Sequence, residues 1–315
     1  MGISFARASA VAVGVGVLGL ASSRSSAQLV VGSTTTTTTN PCAVYIDITT
    51  GVQTTLWNSA ANKKVNGAAT DPVGRRLYTN DAARLNFWDF GNIGVTPTFI
   101  AGMYRTNDNV TFTATGVDGL AWANGKLYAS TSFGSTVYDR GIYEVTTVSD
   151  GASPTPHCVM TPKWLDPTGV GTSSGTVVFS GLDFNDADGL FYTTQTVDAV
   201  AAGGTMTRGL WSVDVFGSGA VNKIADFPAG RTNIDGLAIG GGKFWLTEMI
   251  TGTGLAIYPY NPATSSYETT ITVSFTDATQ RAAGATWAPG ALPEPGAIGA
   301  IAAAVIARGM ARRRR

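Results

Sequence analysis

One pattern of apolar, glycine and aromatic residues recurs along the chain. Its fullest copy is VDGLAW at residues 117–122, followed by a tight Asn-Gly turn and by KLYAS at residues 126–130. Similar copies are centred on Gly181 and Gly236, a weaker copy on Gly67, and half a copy on Gly284. A short apolar segment, a turn that contains glycine and an aromatic segment together predict a β-hairpin.

A second hairpin follows the first in most copies. Its first strand is predicted within residues 141–145, 209–214 and 255–260. Four antiparallel strands that repeat about every fifty residues are typical of a β-propeller blade. The sequence therefore predicts an all-β chain that folds into a β-propeller of about five four-stranded blades.

The two ends of the repeat region complete each other. Residues 28–32, 45–51 and 52–57 match the second, third and fourth strands of a blade that has no first strand, and the half copy at residues 284–287 supplies one. Pairing of the two ends closes the ring and removes an open sheet edge. A sixth blade would require another hairpin within residues 146–178. A pair of β-sandwiches is the alternative architecture, but it does not explain the half copy.

Composition supports an all-β domain and excludes several classes of protein. Charged residues make up 13% of the chain, whereas the sequence has 39 glycines, 43 threonines and only 16 leucines. This mixture argues against a helical bundle or coiled coil. An apolar content of 44% with 30 aromatic residues argues against general disorder. Basic residues within 28–290 are too sparse for nucleic-acid binding.

Residues 1–27 have the features of a secretory signal peptide. Arg7 supplies the positive start, residues 8–21 are uncharged, and Ser25, Ser26 and Ala27 offer small residues for cleavage. A membrane anchor is the alternative, but fourteen residues are too short to cross about 30 Å of hydrocarbon. We therefore expect export, with signal peptidase cutting after Ala27 and residues 28–290 forming the propeller domain.

Residues 291–315 carry three ordered elements. A Pro-Glu-Pro triplet is followed by the uncharged segment 296–307, by Arg308 and by a terminal arginine cluster. Together they resemble the bacterial PEP-CTERM sorting signal, whose motif residues here are Pro293, Glu294, Pro295, Arg312, Arg313, Arg314 and Arg315. The resemblance implies transient inner-membrane anchoring and cleavage near the triplet by a protease of the exosortase type, and the arginines fit the positive-inside rule. This copy departs from the pattern in being short and rich in Ala and Gly. A disordered basic tail is the alternative.

Removal of both ends would change the charge of the chain. The precursor has 21 basic and 21 acidic residues, but seven of its arginines lie in the two removable segments. The remaining part has 14 basic and 21 acidic residues, a net charge of −7 if Glu294 is retained. The mature surface is therefore expected to be acidic, which favours solubility and cation binding.

The residue before each repeat glycine is the best candidate for a site. These residues would form one ring along the first strands, and they are Asn66, Asp118, Ser180, Asp235 and Ala283. Carboxylate, amide and hydroxyl oxygens suit Ca²⁺ or another divalent cation, with Asp118 and Asp235 as the candidate metal ligands. Glu248, placed at the end of its strand, is a further candidate. The favoured alternative is that an Asp or Asn before Gly only caps a turn.

The repeat also resembles those of gluconolactonase-like and NHL-type propellers, through Asp-Gly-Leu-Ala and Asn-Gly-Lys-Leu-Tyr in residues 118–128. The resemblance covers about 15 residues per repeat and supports the fold more than an activity. In the gluconolactonase-like enzymes, comparable channel carboxylates and amides hold a divalent metal that polarises a lactone. The resemblance therefore implies a divalent-metal site of the same kind in the channel of this chain.

Other residues narrow the chemistry further. The single histidine, His157, lies in no nucleophile-elbow sequence and excludes a zinc site made of several histidines. It is expected to have no special role. Cys42 and Cys158 are able to pair only if residues 146–178 bring them together, and the sequence leaves this disulfide open. Tyr78, Tyr128, Tyr192 and Trp245 recur at one position per blade, which predicts core packing.

These observations predict an exported, surface-associated or matrix β-propeller that acts as a non-catalytic binding or scaffold protein. The PEP-CTERM resemblance implies an exopolysaccharide or matrix partner. A metal-dependent hydrolase of the lactonase kind is the alternative, and a propeller that has lost an ancestral activity is a third hypothesis. The sequence leaves open the identity of the ligand, whether any catalysis survives, and whether the final form is released or anchored.

Overall fold

A computed structural model of the protein describes most of the repeat region. The described residues are 28–33, 41–58, 65–81, 84–89, 98–100, 103–105, 117–131, 141–148, 157–165, 179–201, 204–250, 254–273 and 282–288. The predicted signal peptide (1–27) and sorting signal (291–315) lie outside them. None of the described residues form a helix that is long and apolar enough to cross a membrane.

Five antiparallel sheets contain nearly all of the described strands. Blades 1 and 2 begin the chain with β1 (Gln28–Ser33), β2 (Pro41–Asp47) and β3 (Gln53–Asn58), then β4 (Gly67–Asp71), β5 (Arg76–Asp81), β6 (Arg84–Asp89) and β7 (Thr98–Ile100). Blade 3 contains β8 (Met103–Arg105), β9 (Val117–Ala123), β10 (Lys126–Thr131), β11 (Gly141–Val148) and β12 (His157–Leu165). Its order is β9-β10-β11-β12, with β8 parallel to β12 at the outer edge.

Blades 4 and 5 complete the repeat. Blade 4 contains β13 (Phe179–Asn185), β14 (Leu190–Gln195), β17 (Gly209–Val213) and β18 (Val221–Ala225), with a small hairpin of β15 (Ala199–Ala201) and β16 (Gly204–Met206) inserted. Blade 5 contains β19 (Gly236–Gly240), β20 (Lys243–Ile250), β21 (Gly254–Asn261), β22 (Ser266–Tyr267) and β23 (Ile271–Val273). The last strand, β24 (Ala282–Ala288), returns to blade 1.

The two chain ends close the ring as predicted. β24 pairs with β1, so blade 1 has the order β24-β1-β2-β3. Gln28 lies opposite Ala288 and Leu29 opposite Trp287. Because β24 is the first strand of this blade, the half copy at Gly284 fills the expected place. The fold is therefore a five-bladed β-propeller, and the sandwich alternative is wrong.

One strand boundary differs from the prediction. The third strand of blade 1 was expected at residues 45–51, but β2 covers Pro41–Asp47. The Asp47 carboxylate ends it by accepting hydrogen bonds from the backbone N–H groups of Thr49 (2.8 Å) and Thr50 (3.1 Å). Gly51 then takes a positive φ of 72° and completes the turn.

Each repeat glycine lies where adjacent first strands approach most closely. The first strands β24, β4, β9, β13 and β19 each contact the next one around the ring. A Cβ added to the glycine would meet an atom of the next first strand at 2.6 Å for Gly67 and Gly119, 2.8 Å for Gly181, 3.3 Å for Gly236 and 2.7 Å for Gly284. Any larger side chain would force these strands apart, which explains the recurrence of glycine at this position.

In three blades, a polar residue on the second strand holds the repeat glycine in place. In blades 2, 3 and 4, the glycine N–H donates to Asn80 Oδ1 (2.6 Å), Ser130 Oγ (3.0 Å) and Thr194 Oγ1 (2.8 Å). Two of these side chains also reach the next blade. Asn80 Nδ2 donates to the Val117 carbonyl (2.7 Å), and Ser130 Oγ donates to the Phe179 carbonyl (2.9 Å).

Apolar side chains fill the spaces between the blades. Among the described residues they form five clusters, each of which joins two adjacent blades. Representative pairs, in order around the ring from blades 1 and 2, are Tyr45–Trp88, Leu85–Leu120, Tyr128–Phe191, Leu210–Leu246 and Ile257–Leu29. The blades are therefore stabilised by burial against one another, because each blade alone would expose both faces.

The repeat glycine provides a direct test of this packing. Gly119→Ala would place a methyl group 2.6 Å from Leu182 Cβ and 2.9 Å from Leu182 N. We expect it to lower the free energy of unfolding by about 1–3 kcal/mol, the usual cost of overpacking. Urea denaturation measures the change.

Gly217→Ala is the matched control. Its nearest contact would be the Asp214 carboxylate of the same turn, which would have to shift and weaken its hydrogen bonds with Ser218, whereas no neighbouring strand would be displaced. The control should lose less stability than Gly119→Ala. Equal losses for the two variants would contradict the packing argument.

Candidate functional site

The five predicted ring residues lie at one end of the central channel. They occupy the same position, at the start of the five first strands, and this end is called the loop face here. Asp118, Ser180 and Ala283 lie inside strands, whereas Asn66 and Asp235 directly precede β4 and β19. The turn-capping interpretation, which concerned Asp and Asn residues, is therefore wrong for Asp118, since a residue inside a strand does not cap a turn.

Asp118 and Asp235 act on each other at this end of the channel. Their blades, 3 and 5, are separated by blade 4, yet the charge of Asp235 affects Asp118. Burial first, and then the Asp235 carboxylate, raise the pKa of Asp118 to about 7. Asn233 Nδ2 donates to Asp235 Oδ2 at 3.0 Å and fixes that side chain. The pair therefore favours a protonated Asp118 below about pH 7.

The neutral members of the ring have partners of their own. Ser180 Oγ lies 3.4 Å from Thr196 Oγ1, and both hydroxyls are buried. The backbone N–H of Asn66 donates to the Asn80 carbonyl at 2.9 Å. In the described part of the chain, no three His, Cys, Asp or Glu side chains are grouped so that they could hold a metal ion. A divalent cation at the loop face would therefore depend on Asp118 and Asp235 together with neutral oxygens.

Glu248 occupies a different environment. It was expected to end its strand, but β20 continues two residues further to Ile250. Its carboxylate accepts a hydrogen bond from the Tyr258 hydroxyl (2.9 Å) and lies 3.7 Å from Arg231 Nε. Burial and this hydrogen bond raise the pKa of Tyr258 above its usual range. Glu248 thus links β20, β21 and the segment before β19.

Asp183 is a further buried carboxyl group, and the sequence pattern did not select it as a candidate site residue. It lies two residues after the repeat glycine of blade 4 and is buried. Its Oδ1 accepts from Phe184 N (2.8 Å) and its Oδ2 accepts from Ile239 N (2.6 Å), which joins β13 to β19. Burial raises its pKa to about 7 despite these two bonds. The sequence carried a signal, since the equivalent residues in blades 2, 3 and 5 are all alanine.

A cavity of about 910 Å³ lies at the opposite end of the channel. This end is called the turn face, because it carries the hairpin turns between first and second strands, such as residues 72–75 and 124–125. The residue three positions after each repeat glycine lines the cavity in all five blades. These residues are Thr70, Trp122, Phe184, Ile239 and Trp287.

The recurring aromatic residues of the second strands behave mainly as predicted. Tyr128, Tyr192 and Trp245 are buried, which confirms core packing for these three. Tyr78 is half-buried and also lines the turn-face cavity. Its ring stacks on Trp122 with a centroid distance of 5.5 Å.

The histidine and cysteines lie away from both channel ends. His157 begins β12, the fourth strand of blade 3. Cys158 is a free, buried thiol, so the disulfide with Cys42 that the sequence left open is not formed. Burial raises the pKa of Cys158 to about 12, and the thiol is therefore unreactive at neutral pH.

Several solved structures are similar to this chain at low identity. The crystal structure of a nidogen/laminin complex is 12% identical, over 84% of this chain and 98% of that one, with a TM-score of 0.46. A putative 6-phosphogluconolactonase from Bacteroides fragilis is 12% identical (85% and 99%, TM-score 0.42), and apo AztD from Citrobacter koseri is 11% identical (84% and 99%, TM-score 0.39). No family model and no curated protein matches the chain. These similarities assign it no activity.

The pH dependence of stability tests the environment of Asp118. A carboxyl group with a folded pKa of about 7, against 3.8 for the exposed group, makes the fold lose stability as pH rises from about 4 to 7. Asp118→Asn removes that loss, so the variant should gain on the wild type with rising pH, by up to about 4 kcal/mol. Urea denaturation between pH 4 and 8 measures the difference. Asp183 titrates in both proteins, so its contribution cancels from the difference in stability between them.

Asp214→Asn is the control with the opposite sign. Hydrogen bonds from Ser218 lower the pKa of this exposed carboxyl group, so the wild type should gain on the variant as pH rises through the acidic range. A pH-independent difference between wild type and Asp118→Asn would show that Asp118 is not held in the protonated form.

Proposed function

We propose that this chain is an exported, surface-associated or matrix β-propeller that binds a partner without catalysis and is processed at both ends. The observation that carries the proposal is the position of the closing strands. β1 begins at Gln28, directly after the predicted signal-peptidase site, and β24 ends at Ala288, shortly before Pro293-Glu294-Pro295. Cleavage at both predicted sites would therefore leave the ring-closing pair of strands whole.

The pairing of β1 with β24 explains why the positions of the two predicted cuts matter. Gln28 and Ala288 lie opposite each other and are both buried. A cut a few residues further into either strand would open blade 1 and expose the cluster that contains Val30 and Tyr45. The described fold thus requires both of these strands, which lie between the two predicted cuts. This is the expected design of a domain delivered by removable sorting segments.

A metal-dependent hydrolase of the lactonase kind is the alternative function. One observation favours it, the pair of carboxyl groups of Asp118 and Asp235 at the loop face, with the pKa of Asp118 raised to about 7. A divalent cation bound there would polarise a carbonyl oxygen. The two carboxylates and the neutral oxygens of Asn66 and Ser180 would have to hold it. The hydroxyl of Ser180 already faces Thr196, which weakens this donor set.

Turnover assays distinguish the two functions. With simple lactones and sugar esters as substrates and Ca²⁺ present, we expect the wild type and the Asp118→Ala/Asp235→Ala variant to match the uncatalysed rate. Calorimetry should give no heat with Ca²⁺ alone. Asp226→Ala, at an exposed carboxylate paired with Lys223, is the matched control. Turnover that is lost in the double variant and kept in the control would establish the hydrolase instead.

The mass of the mature chain tests the processing. In a bacterial host that has an exosortase-type protease, the exported protein should start at Gln28 and end near Pro293–Pro295. Replacing Pro293, Glu294 and Pro295 by alanine should leave the tail attached and hold the chain in the membrane fraction. A wild-type protein that keeps Arg312–Arg315 after export would overturn the processing proposal, whereas the turnover result would stand.

A further inference from the structure

The turn-face cavity has the lining of a binding site rather than of a packing defect. Its volume of about 910 Å³ lies within the range of ligand sites. Its lining combines aromatic rings with an amide, carboxylates and hydroxyls, and these groups come from different blades. Asp118 and Asp235 lie at the loop face, at the other end of the channel, so this cavity is separate from the predicted ring of site residues.

Two tryptophan rings occupy equivalent positions in this lining. Trp122 and Trp287 each lie three residues after the repeat glycine, and both are partly buried. Each is held by a second-strand aromatic ring of a neighbouring blade, Trp122 by Tyr78 (centroids 5.5 Å apart, 9° between planes) and Trp287 by Trp245 (5.6 Å, 14°). These contacts fix the orientation of both rings before any ligand arrives, which lowers the entropy cost of binding.

Three of the four charged groups that line the cavity already have protein partners, and the fourth, Asp186, is exposed. The Arg76 guanidinium donates to Asp89 Oδ1 (2.9 Å) and lies over the Phe87 ring. The Asp183 carboxylate accepts from two backbone N–H groups, and Asp71 Oδ1 accepts from Val73 N (3.0 Å) and Gly74 N (2.8 Å). Because Arg76, Asp71 and Asp183 are already engaged within the protein, an ionic ligand would meet Asp186 as an exposed charge of the lining.

We propose that the turn-face cavity binds an uncharged oligosaccharide, with Trp122 and Trp287 as the stacking surfaces. A sugar ring has an apolar C–H face that packs on an aromatic ring and a rim of hydroxyls that both donate and accept hydrogen bonds. The exposed Asn124 amide and the acceptor oxygens of Asp71 and Asp186 supply the complementary polar groups. The inference rests on the proposed non-catalytic function and names the ligand class of that function.

Calorimetry with defined probes tests the inference on the exported chain. The uncharged probes are cellohexaose, mannohexaose and laminarihexaose, and the charged probes are a hexagalacturonate and phenyltrimethylammonium. We expect at least one uncharged probe to bind and to quench tryptophan fluorescence. Trp122→Ala and Trp287→Ala should each weaken that binding about tenfold or more, the loss expected for removal of one aromatic contact.

Two further variants separate binding from folding. Trp122→Phe keeps an aromatic surface and should bind better than Trp122→Ala. Phe216→Ala removes an exposed aromatic ring of the same face that is not part of the cavity lining and meets Phe184 of that lining only edge-on (centroids 6.0 Å apart, 74° between planes), so it should bind as the wild type does. Thermal unfolding of all variants identifies any that fail to fold.

The remaining outcomes overturn the inference. Binding of the cation or of the hexagalacturonate alone would assign the cavity to an ion, and no binding of any uncharged probe would remove the oligosaccharide class. Saccharide binding that survives in both alanine variants would place the site elsewhere. None of these results would affect the processing or turnover tests, so failure here is distinguishable from failure of the proposed function.

Discussion

The first strands of the five blades pack side by side around the channel axis. They can approach this closely because each strand has a glycine at the point of contact. The repeat glycines set this distance, as Gly67 against the Asp118 carbonyl and Gly284 against Gly67 illustrate. Once the first strands are this close, the hydrogen bonds of Asn80 and Ser130 reach from one blade to the next. The apolar clusters between blades then form behind them.

The two ends of the channel differ in chemistry because the first strands change character along their length. At the loop face, the position before the glycine carries Asp118 and Asp235, and burial together with the charge of Asp235 favours a proton on Asp118. At the turn face, the position three residues after the glycine carries Trp122 and Trp287, and most of the charged groups nearby are engaged within the protein. A short repeat is thus able to build two different surfaces, with the glycine fixing the spacing of both.

Much of the fold could be predicted from the sequence because it is repeated. The half copy at Gly284 located the closing strand, and the recurring glycine located the first strands. Features that occur once were harder to predict. Asp183 breaks the alanine pattern of its position, but only the structure shows that its second oxygen reaches Ile239 in the next blade. Glu248 could be placed on its strand, whereas its contact with Tyr258 depends on side-chain direction. The turn-face cavity depends on turns from several blades at once, and no local pattern encodes it.

The meeting of the chain ends also has a directional consequence. In the other four blades, the first and second strands are joined by a hairpin turn at the turn face, while in blade 1 that place is taken by Ala288 and Gln28. Ala288 therefore lies at the turn face, next to Trp287 of the cavity lining. If the residues after Ala288 are held in the membrane as proposed, the propeller would be tethered at the same face as its cavity. Proteolytic release would then free this face as well as the protein, and large polymers would gain access to it.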